Sequence, residues 1–564
     1  MTKKLKAKWL ATGLISALSL GLAPAVAQAE EQKRPNFLII LADDLGFSDL
    51  GAFGGEIRTP NLDRIAYDGV RLTGYHTSSM CAPTRAQLLT GVDNHRSGLG
   101  QMDDAPHERY QGLQGYEGAL RSDVATLPEI LRDNGYRTVQ SGKWHLGSAP
   151  EKDPSQRGFE YSFVLAQGSH HHFGQDVSVL GGTGSIYREN GQTLTELPAD
   201  FYSTDTFTTK LIEGLEQTRQ KQDGKPFFAY LAYTAPHWPL HASPEVIAKY
   251  RGVYDAGYDV LREQRIQRQV ELGLVEEGQA RVPSEEVRPW TDLNEEEKAY
   301  YIATQEVYAA MVDQLDQNVG RLVEYLKSTG EYENTVILFH SDNGAAGRDF
   351  RRDKEPFAPY AEADNRPEII GKPESFAAVG SGWAEAASAP ARLYKRYQSE
   401  GGTRVVSFLH YDGLPLTGGQ VKGAIDNVYT HVRDVAPTFL ELAGVPVPQG
   451  TYNGRDIQPV SGRSQVAYWK GEASRVYPAD EPVGGELYGS KSLRKGDWKL
   501  VSLQGVDWTL YNIAKDPGET LDLGATHPEK LAELKADWET YARENWVYED
   551  PTLYAQQLGS TNPQ

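Results

Sequence analysis

The chain has 564 residues, with 57 Lys and Arg against 77 Asp and Glu, a formal charge of −20 and one cysteine. At 39% hydrophobic and 24% charged residues it reads as a globular chain with a sizeable core, which excludes disordered and collagen-like classes. One cysteine excludes an internal disulfide and any Cys-rich zinc or iron–sulfur centre, and the acidic balance argues against nucleic acid or an acidic membrane surface as partner.

Lys3, Lys4, Lys6 and Lys8 precede an apolar stretch from Trp9 to Ala23, and Ala27-Gln28-Ala29 has the small-x-small pattern of a signal-peptidase site. Residues 1–29 therefore read as an export signal, and a periplasmic or secreted protein is expected. The stretch falls short of the roughly 20 apolar residues of a membrane span and is broken by Ser, Thr and Gly. Without the signal the chain carries 53 basic and 77 acidic residues, a charge of −24. Export makes a lone thiol conspicuous: it pairs between molecules, or it is kept for its chemistry.

Asn36–Ala42 is a continuous apolar run ending at Asp43-Asp44, the pattern of a strand buried on both faces of a mostly parallel sheet. Pro60 opens a short helix that stops at Gly69. Another starts near Thr126, a candidate N-cap, and ends at Gly135. Phe227–Tyr233, Thr335–Phe339 and Val405–Leu409 read as strands, and Met311, Leu315, Val319, Leu322 and Leu326 recur at helical spacing between about 300 and 328. This alternation predicts an α/β fold with a large mixed, mostly parallel central sheet and helices on both faces, over residues 34–449. A smaller α+β region is expected over 450–564, with strands at Leu493–Val501 and Trp508–Asn512 and a helix near 527–545. Three long excursions, about 168–200, 251–297 and 344–392, are expected to wall the site.

Asp43-Asp44 and Asp342-Asn343 each follow an apolar strand, where ligands bind in open α/β sheets. Three carboxylates and an amide oxygen converging there suit Ca²⁺ or Mg²⁺, although each pair taken singly also reads as a turn. Cys81-Ala-Pro-Thr-Arg85, followed by Leu89-Thr-Gly91, places a thiol at a helix N-terminus, where an anion is favoured. By itself this also fits a plain reactive thiol or a buried structural Cys.

Cys-x-Pro-x-Arg with Leu-Thr-Gly at this offset resembles the first sulfatase signature, and Gly135-Tyr-Arg-Thr-Val-Gln-Ser-Gly-Lys143-Trp-His145 resembles the second. The likeness continues through Ala235-Pro-His237-Trp, Ser341-Asp-Asn-Gly344, Ala389–Lys395, Glu400–Arg404, Gly496–Lys499 and Leu510–Ile513, and looks closest to bacterial arylsulfatases of the alkaline phosphatase superfamily. The resemblance implies that a separate maturation enzyme oxidises Cys81 to formylglycine. The hydrated form of that group offers one hydroxyl to attack sulfur and another to expel the sulfate.

It further implies calcium, or alternatively magnesium, bound by Asp43, Asp44, Asp342, Asn343 and the modified residue 81. Arg85, Lys143 and Lys395 would hold formylglycine and sulfate. His237 would protonate the leaving oxygen, His145 would take the proton during sulfate release, and Asp342 would be the base for the attacking hydroxyl. Arg392 and Arg396 are weaker alternatives to Lys395. The expected substrate is a small sulfate monoester, aromatic by preference. Rival readings are a phosphate or phosphonate monoester hydrolase of the same superfamily and a non-catalytic, metal-stabilised binding protein.

The run His170-His171-His172 is expected to face solvent from a glycine-rich loop rather than bind metal. Gly181–Ser185 resembles a phosphate cradle only weakly, lacking the Lys-Ser/Thr that follows one. No Gly-x-Ser-x-Gly occurs, which argues against a nucleophile-elbow serine hydrolase.

Overall fold

The computed structural model describes residues 33–175, 184–222, 224–278, 287–353, 357–413, 422–503 and 506–548. The expected export signal, residues 181–183 of the glycine-rich run and the polar C-terminal tail lie outside the described residues.

The described residues from Arg34 onward make one compact unit. Its central sheet has ten strands in the order 424–426, 70–72, 407–410, 335–341, 36–42, 227–232, 137–143, 161–165, 187–189 and 192–193. The five strands from 335–341 to 161–165 are mutually parallel, while 407–410 and 187–189 run antiparallel to their neighbours on either side. The sheet is therefore mixed and mostly parallel, as predicted.

Both faces are covered because the central strand is apolar on both. Leu38 and Ile40 of Asn36–Ala42 join a core with helices Ser203–Lys221 and Glu295–Ser328, whereas Phe37, Ile39 and Leu41 join a second core with helices Cys81–Thr90 and Val435–Leu442. Burying each such side chain is worth about 1.5–3 kcal/mol. Thr126 caps Leu127–Asp133 through a reciprocal capping box with Glu129, and Asn294 does the same with Glu297 for the long helix. The charged excursion at 251–297 contains a helix, Tyr258–Glu271, that sequence periodicity did not reveal.

The C-terminal region is a four-stranded antiparallel sheet, Pro482–Leu487, Ser490–Lys495, Trp498–Ser502 and Thr509–Asn512, on which helix Pro528–Glu544 packs Leu534 and Trp538. The single strand expected at Leu493–Val501 is in fact two. Gly496, at φ +59°, turns the chain back on itself, so Leu493 pairs with Leu500. Buried Lys499 reaches across to Glu400 at 2.7 Å and to Glu519 at 2.8 Å, and His76 meets the same Glu400 at 3.0 Å. This pins the small sheet to the rim of the large one.

Candidate active site

Strand register brings the predicted residues to one edge. Ala42 pairs with Ser341, so Asp43 and Asp342 leave the carboxyl ends of adjacent parallel strands together. Strand Arg137–Lys143 delivers Lys143 to the same edge, since Gly142 pairs with Ala232, itself the partner of Leu41. Gly142 has φ +110°, and a Cβ there would stand 1.9 Å from the Ala232 carbonyl, so the Ser-Gly-Lys step of the second signature admits no side chain at its centre. The strand-end loops are laced together: Asp342 N–H donates to the Ala42 carbonyl, and Leu45 N–H to Ser341 Oγ. Asp44 and His145 both sit at positive φ, 69° and 56°, a conformation costing of order 1–3 kcal/mol that the surroundings must impose.

Helix Cys81–Thr90 begins at the thiol itself and is buried along its whole length. Arg85, one turn on, donates through Nη2 and Nε to Asp342 Oδ2 at 2.7 and 3.1 Å and through Nη1 to the Lys143 carbonyl at 3.2 Å. Lys143 Nζ lies 2.7 Å from Asp43 Oδ2, and Lys395 Nζ lies 2.6 Å from Asp44 Oδ1. Asn343 also donates to Asp44 Oδ1, at 2.6 Å. His237 Nε2 is 3.5 Å from Asp44 Oδ2, while its Nδ1–H donates to the Trp238 carbonyl at 2.6 Å. Ligand atoms of Asp43, Cys81 and Asp342 lie within 4.8 Å of one another. All ten predicted residues thus share one buried cluster. Arg392, the weaker alternative to Lys395, turns instead toward Glu519 and Tyr511.

The field inside favours an anion at residue 81. Burial pushes the Cys81 thiol up, but Lys143, Lys395 and His145 outweigh it and bring the thiol below its ordinary value. Burial likewise works against ionised Asp43, yet Lys143 and its neighbours hold that carboxyl below the usual range. Burial opposes the charge on Lys143 and Lys395 too, and facing carboxylates raise both.

The cations are not free, as a simple positive focus would require. Lys143, Arg85 and Lys395 are each matched by a carboxylate, Asp43, Asp342 and Asp44, so three fixed positive charges meet three negative ones. Asp43 Oδ1, Asp44 Oδ2 and Asn343 Oδ1 are buried without a hydrogen-bond donor. Unpaired buried oxygens are costly, and a set composed of carboxylate and amide oxygens suits a hard divalent cation, so the residues present fit Ca²⁺ or Mg²⁺. Such an ion would also tip the balanced charge toward positive, facing an anionic substrate.

Two acids escaped the sequence reading. Asp104 Oδ2 lies 3.0 Å from His145 Nε2 and Asp103 Oδ1 lies 3.9 Å away, in a turn-rich loop held by Tyr488, whose hydroxyl accepts from Met102 N–H and donates to the Ala105 carbonyl. Burial opposes charge on His145, but Asp104 and the Cys81 thiolate lift it to about 10, and His145 in turn brings Asp104 down to about 2. The only signal was a pair of adjacent acids, indistinguishable from a solvated loop.

The expectation for His170-His171-His172 is overturned. All three are buried, because helix Ser203–Lys221 and the Thr234–His241 segment close over them. His171 Nε2–H donates to the Pro373 carbonyl at 2.8 Å, and the ring packs against His241 with centroids 4.2 Å apart.

Comparison with known proteins places this arrangement. Residues 35–445 match the sulfatase family. The chain belongs to that family. An uncharacterized sulfatase of Schizosaccharomyces pombe is 41% identical over 94% of this chain and 98% of its own length. An arylsulfatase of Klebsiella aerogenes is 36% identical over 80% of this chain and 96% of its own. Among solved structures, one titled Ps i-CgsB in complex with k-i-k-neocarrahexaose matches with a TM-score of 0.65 at 24% identity, covering 94% of this chain and 98% of that one, a likeness of fold. The protein is a sulfuric ester hydrolase, and family membership implies a metal site, for which the buried Asp cluster has the composition, and formylglycine.

Proposed function

We propose that this sulfatase is an exported, calcium-dependent arylsulfatase in which Cys81 becomes formylglycine. The observation that carries the reading is the juxtaposition of a helix-terminal thiol, whose ionisation Lys143 and Lys395 favour, with three donorless buried oxygens of Asp43, Asp44 and Asn343. Asp43, Asp44, Asp342, Asn343 and residue 81 would hold the ion, which when bound withdraws charge from a sulfate oxygen and from the nucleophile. Formylglycine, once made by the maturation enzyme, supplies as a diol both the attacking hydroxyl and the one that later releases sulfate.

The chain's own groups do the rest. Arg85 anchors Asp342, and Lys143 and Lys395, already aimed into the cluster, orient the sulfate. Asp342 accepts the proton of the attacking hydroxyl. Burial holds free His237 below its ordinary value. An arriving sulfate ester adds negative charge beside it, raises it, and equips Nε2 to donate to the leaving oxygen, since Nδ1–H is committed to the Trp238 carbonyl. His145 must be neutral to take a proton during sulfate release. Replacing the Cys81 thiolate by an uncharged group removes one of the charges that lift it.

An aromatic leaving group is supported by the Klebsiella relative and by Trp238, which follows His237 and packs with Phe350 and Phe376 beside it. Export rests on the pattern of residues 1–29, with the mature protein in the periplasm or medium. Residues 34–449 would carry the chemistry, and 450–564 would brace its rim through Tyr488 and Lys499. The test is turnover of nitrophenyl sulfate against nitrophenyl phosphate by purified protein with and without added Ca²⁺. Faster sulfate cleavage that depends on Ca²⁺ is expected, and preference for the phosphate would contradict the reading.

A further inference from the structure

The Gly168–His172 segment passes behind the turn that carries His237. His172 Nε2 lies 3.0 Å from the His237 backbone carbonyl, and its Nδ1 lies 2.8 Å from Ser203 Oγ. A carbonyl only accepts, so Nε2 carries the proton and Nδ1 of the neutral ring accepts from the serine hydroxyl. Ser203 Oγ in turn accepts from Thr234 Oγ1 at 3.4 Å, and Thr234 Oγ1 accepts from His170 Nε2–H at 2.8 Å. His170 Nδ1 then accepts a hydrogen bond from the Tyr187 hydroxyl, with which it is in contact.

With both rings neutral, a single assignment of protons satisfies every link. Tyr187 donates to His170, His170 to Thr234, Thr234 to Ser203, Ser203 to His172, and His172 to the His237 carbonyl. The same turn is closed at its other end, where His237 N–H donates to the Thr234 carbonyl at 2.9 Å. Tyr187, His170, His172, Ser203 and Thr234 are all buried, so no water competes for these bonds. Burial pushes His172 down to about 3 and His170 well below its ordinary value, which keeps both rings neutral and the direction of the chain unchanged through the working pH range.

We propose that the Tyr187–His170–Thr234–Ser203–His172 chain is a positioning device for His237, gripping the turn at both ends so that the imidazole's Nε2 faces the leaving oxygen. None of its members reaches the reacting atoms. His172 is the positioning residue that acts directly on His237, and the others fix the orientation of its ring. The proposal rests on the general-acid role given above to His237. A general acid matters most when the leaving group is a poor one, because a nitrophenolate departs without a proton and an alkoxide does not.

The test uses the formylglycine-bearing enzyme with nitrophenyl sulfate and an alkyl sulfate. His172→Asn removes the donor to the His237 carbonyl, whereas His172→Gln puts an amide N–H where Nε2 stood. Expected is a loss of kcat on the alkyl ester roughly tenfold greater than on the nitrophenyl ester for His172→Asn, with most of it recovered in His172→Gln. Ser203→Ala, which frees the ring without removing it, gives the same leaving-group bias more weakly and serves if His172→Asn fails to fold. Equal losses on the two esters in both His172→Asn and Ser203→Ala would mean that the chain merely fills the core, and overturn the proposal. His237→Gln, measured alongside, separates the two layers. If it shows no leaving-group bias, the general-acid role fails and the clamp with it. If it shows the bias and the His172 and Ser203 variants do not, the clamp alone fails.

Discussion

The site has two walls built on opposite electrostatic plans. On one, Arg85, Lys143, His145 and Lys395 meet Asp342, Asp43, Asp104 and Asp44 around Cys81 in a buried lattice of full charges, each held by a partner of opposite sign. On the other, His237 hangs from a turn fixed by neutral imidazoles, hydroxyls and carbonyls. The charged wall suits the stabilisation of a sulfate whose charge shifts during reaction, since preorganised charge in a dry site acts without reorganising. The neutral wall suits the proton donor proposed at His237, because a network whose members do not titrate would hold one geometry while that ring gained and lost its proton.

The difference can be probed by graded substitutions. Cys81→Ala removes the nucleophile's origin, and turnover of nitrophenyl sulfate should fall to background while the unfolding midpoint stays near that of the parent. Lys143→Ala should lower kcat by about 10²–10³, some 3–4 kcal/mol of transition-state stabilisation, as expected for one preorganised charge. Asp104→Asn tests the pH signature of the charged wall on the Cys81 form. His145 is raised from 6.5 to about 10, so its contribution is full below 6.5 and is lost as pH rises through about 10. Asp104 is lowered from 3.8 to about 2, so its contribution is full above 3.8 and is lost as pH falls through about 2. The stability gap between parent and variant should therefore be widest between 3.8 and 6.5 and close on either side, as read from unfolding midpoints across pH. Thr234→Val makes the smallest change. Leaving the His170 N–H unpaired should cost about 1–3 kcal/mol, and a gap that varies with pH between about 5 and 8, the range in which an ordinary His titrates, would contradict a neutral wall.

The two walls were also unequally legible in the sequence. Asp43, Asp44, Asp342 and Asn343 could be found because each pair ends an apolar run, and Cys81, Arg85, Lys143 and His145 because they sit inside contiguous signatures. Strand Arg137–Lys143 itself carries Thr138, Gln140 and Ser141 in the sheet interior, so composition gave no sign of a strand; its partners on both sides make it one. Asp103 and Asp104 stayed hidden because acids in a turn-rich loop look solvated until His145 and Tyr488 fold over them. His170–His172 misled for a related reason. Their Gly and Ser neighbours suggest an exposed loop, and nothing local announces that Ser203, Thr234 and Pro373 lie across them. Charges in signatures are readable one segment at a time, whereas a neutral hydrogen-bond chain exists only once distant segments meet.

The central claim is that residue 81 does its work as formylglycine in a field built to hold an anion. Mass spectrometry of the peptide spanning residue 81, on active protein from a host possessing the maturation enzyme, tests it most directly. The account predicts that the cysteine sulfur and two hydrogens are replaced by a single oxygen, in a fraction that rises and falls with specific activity. An intact Cys81 thiol in fully active enzyme would contradict it.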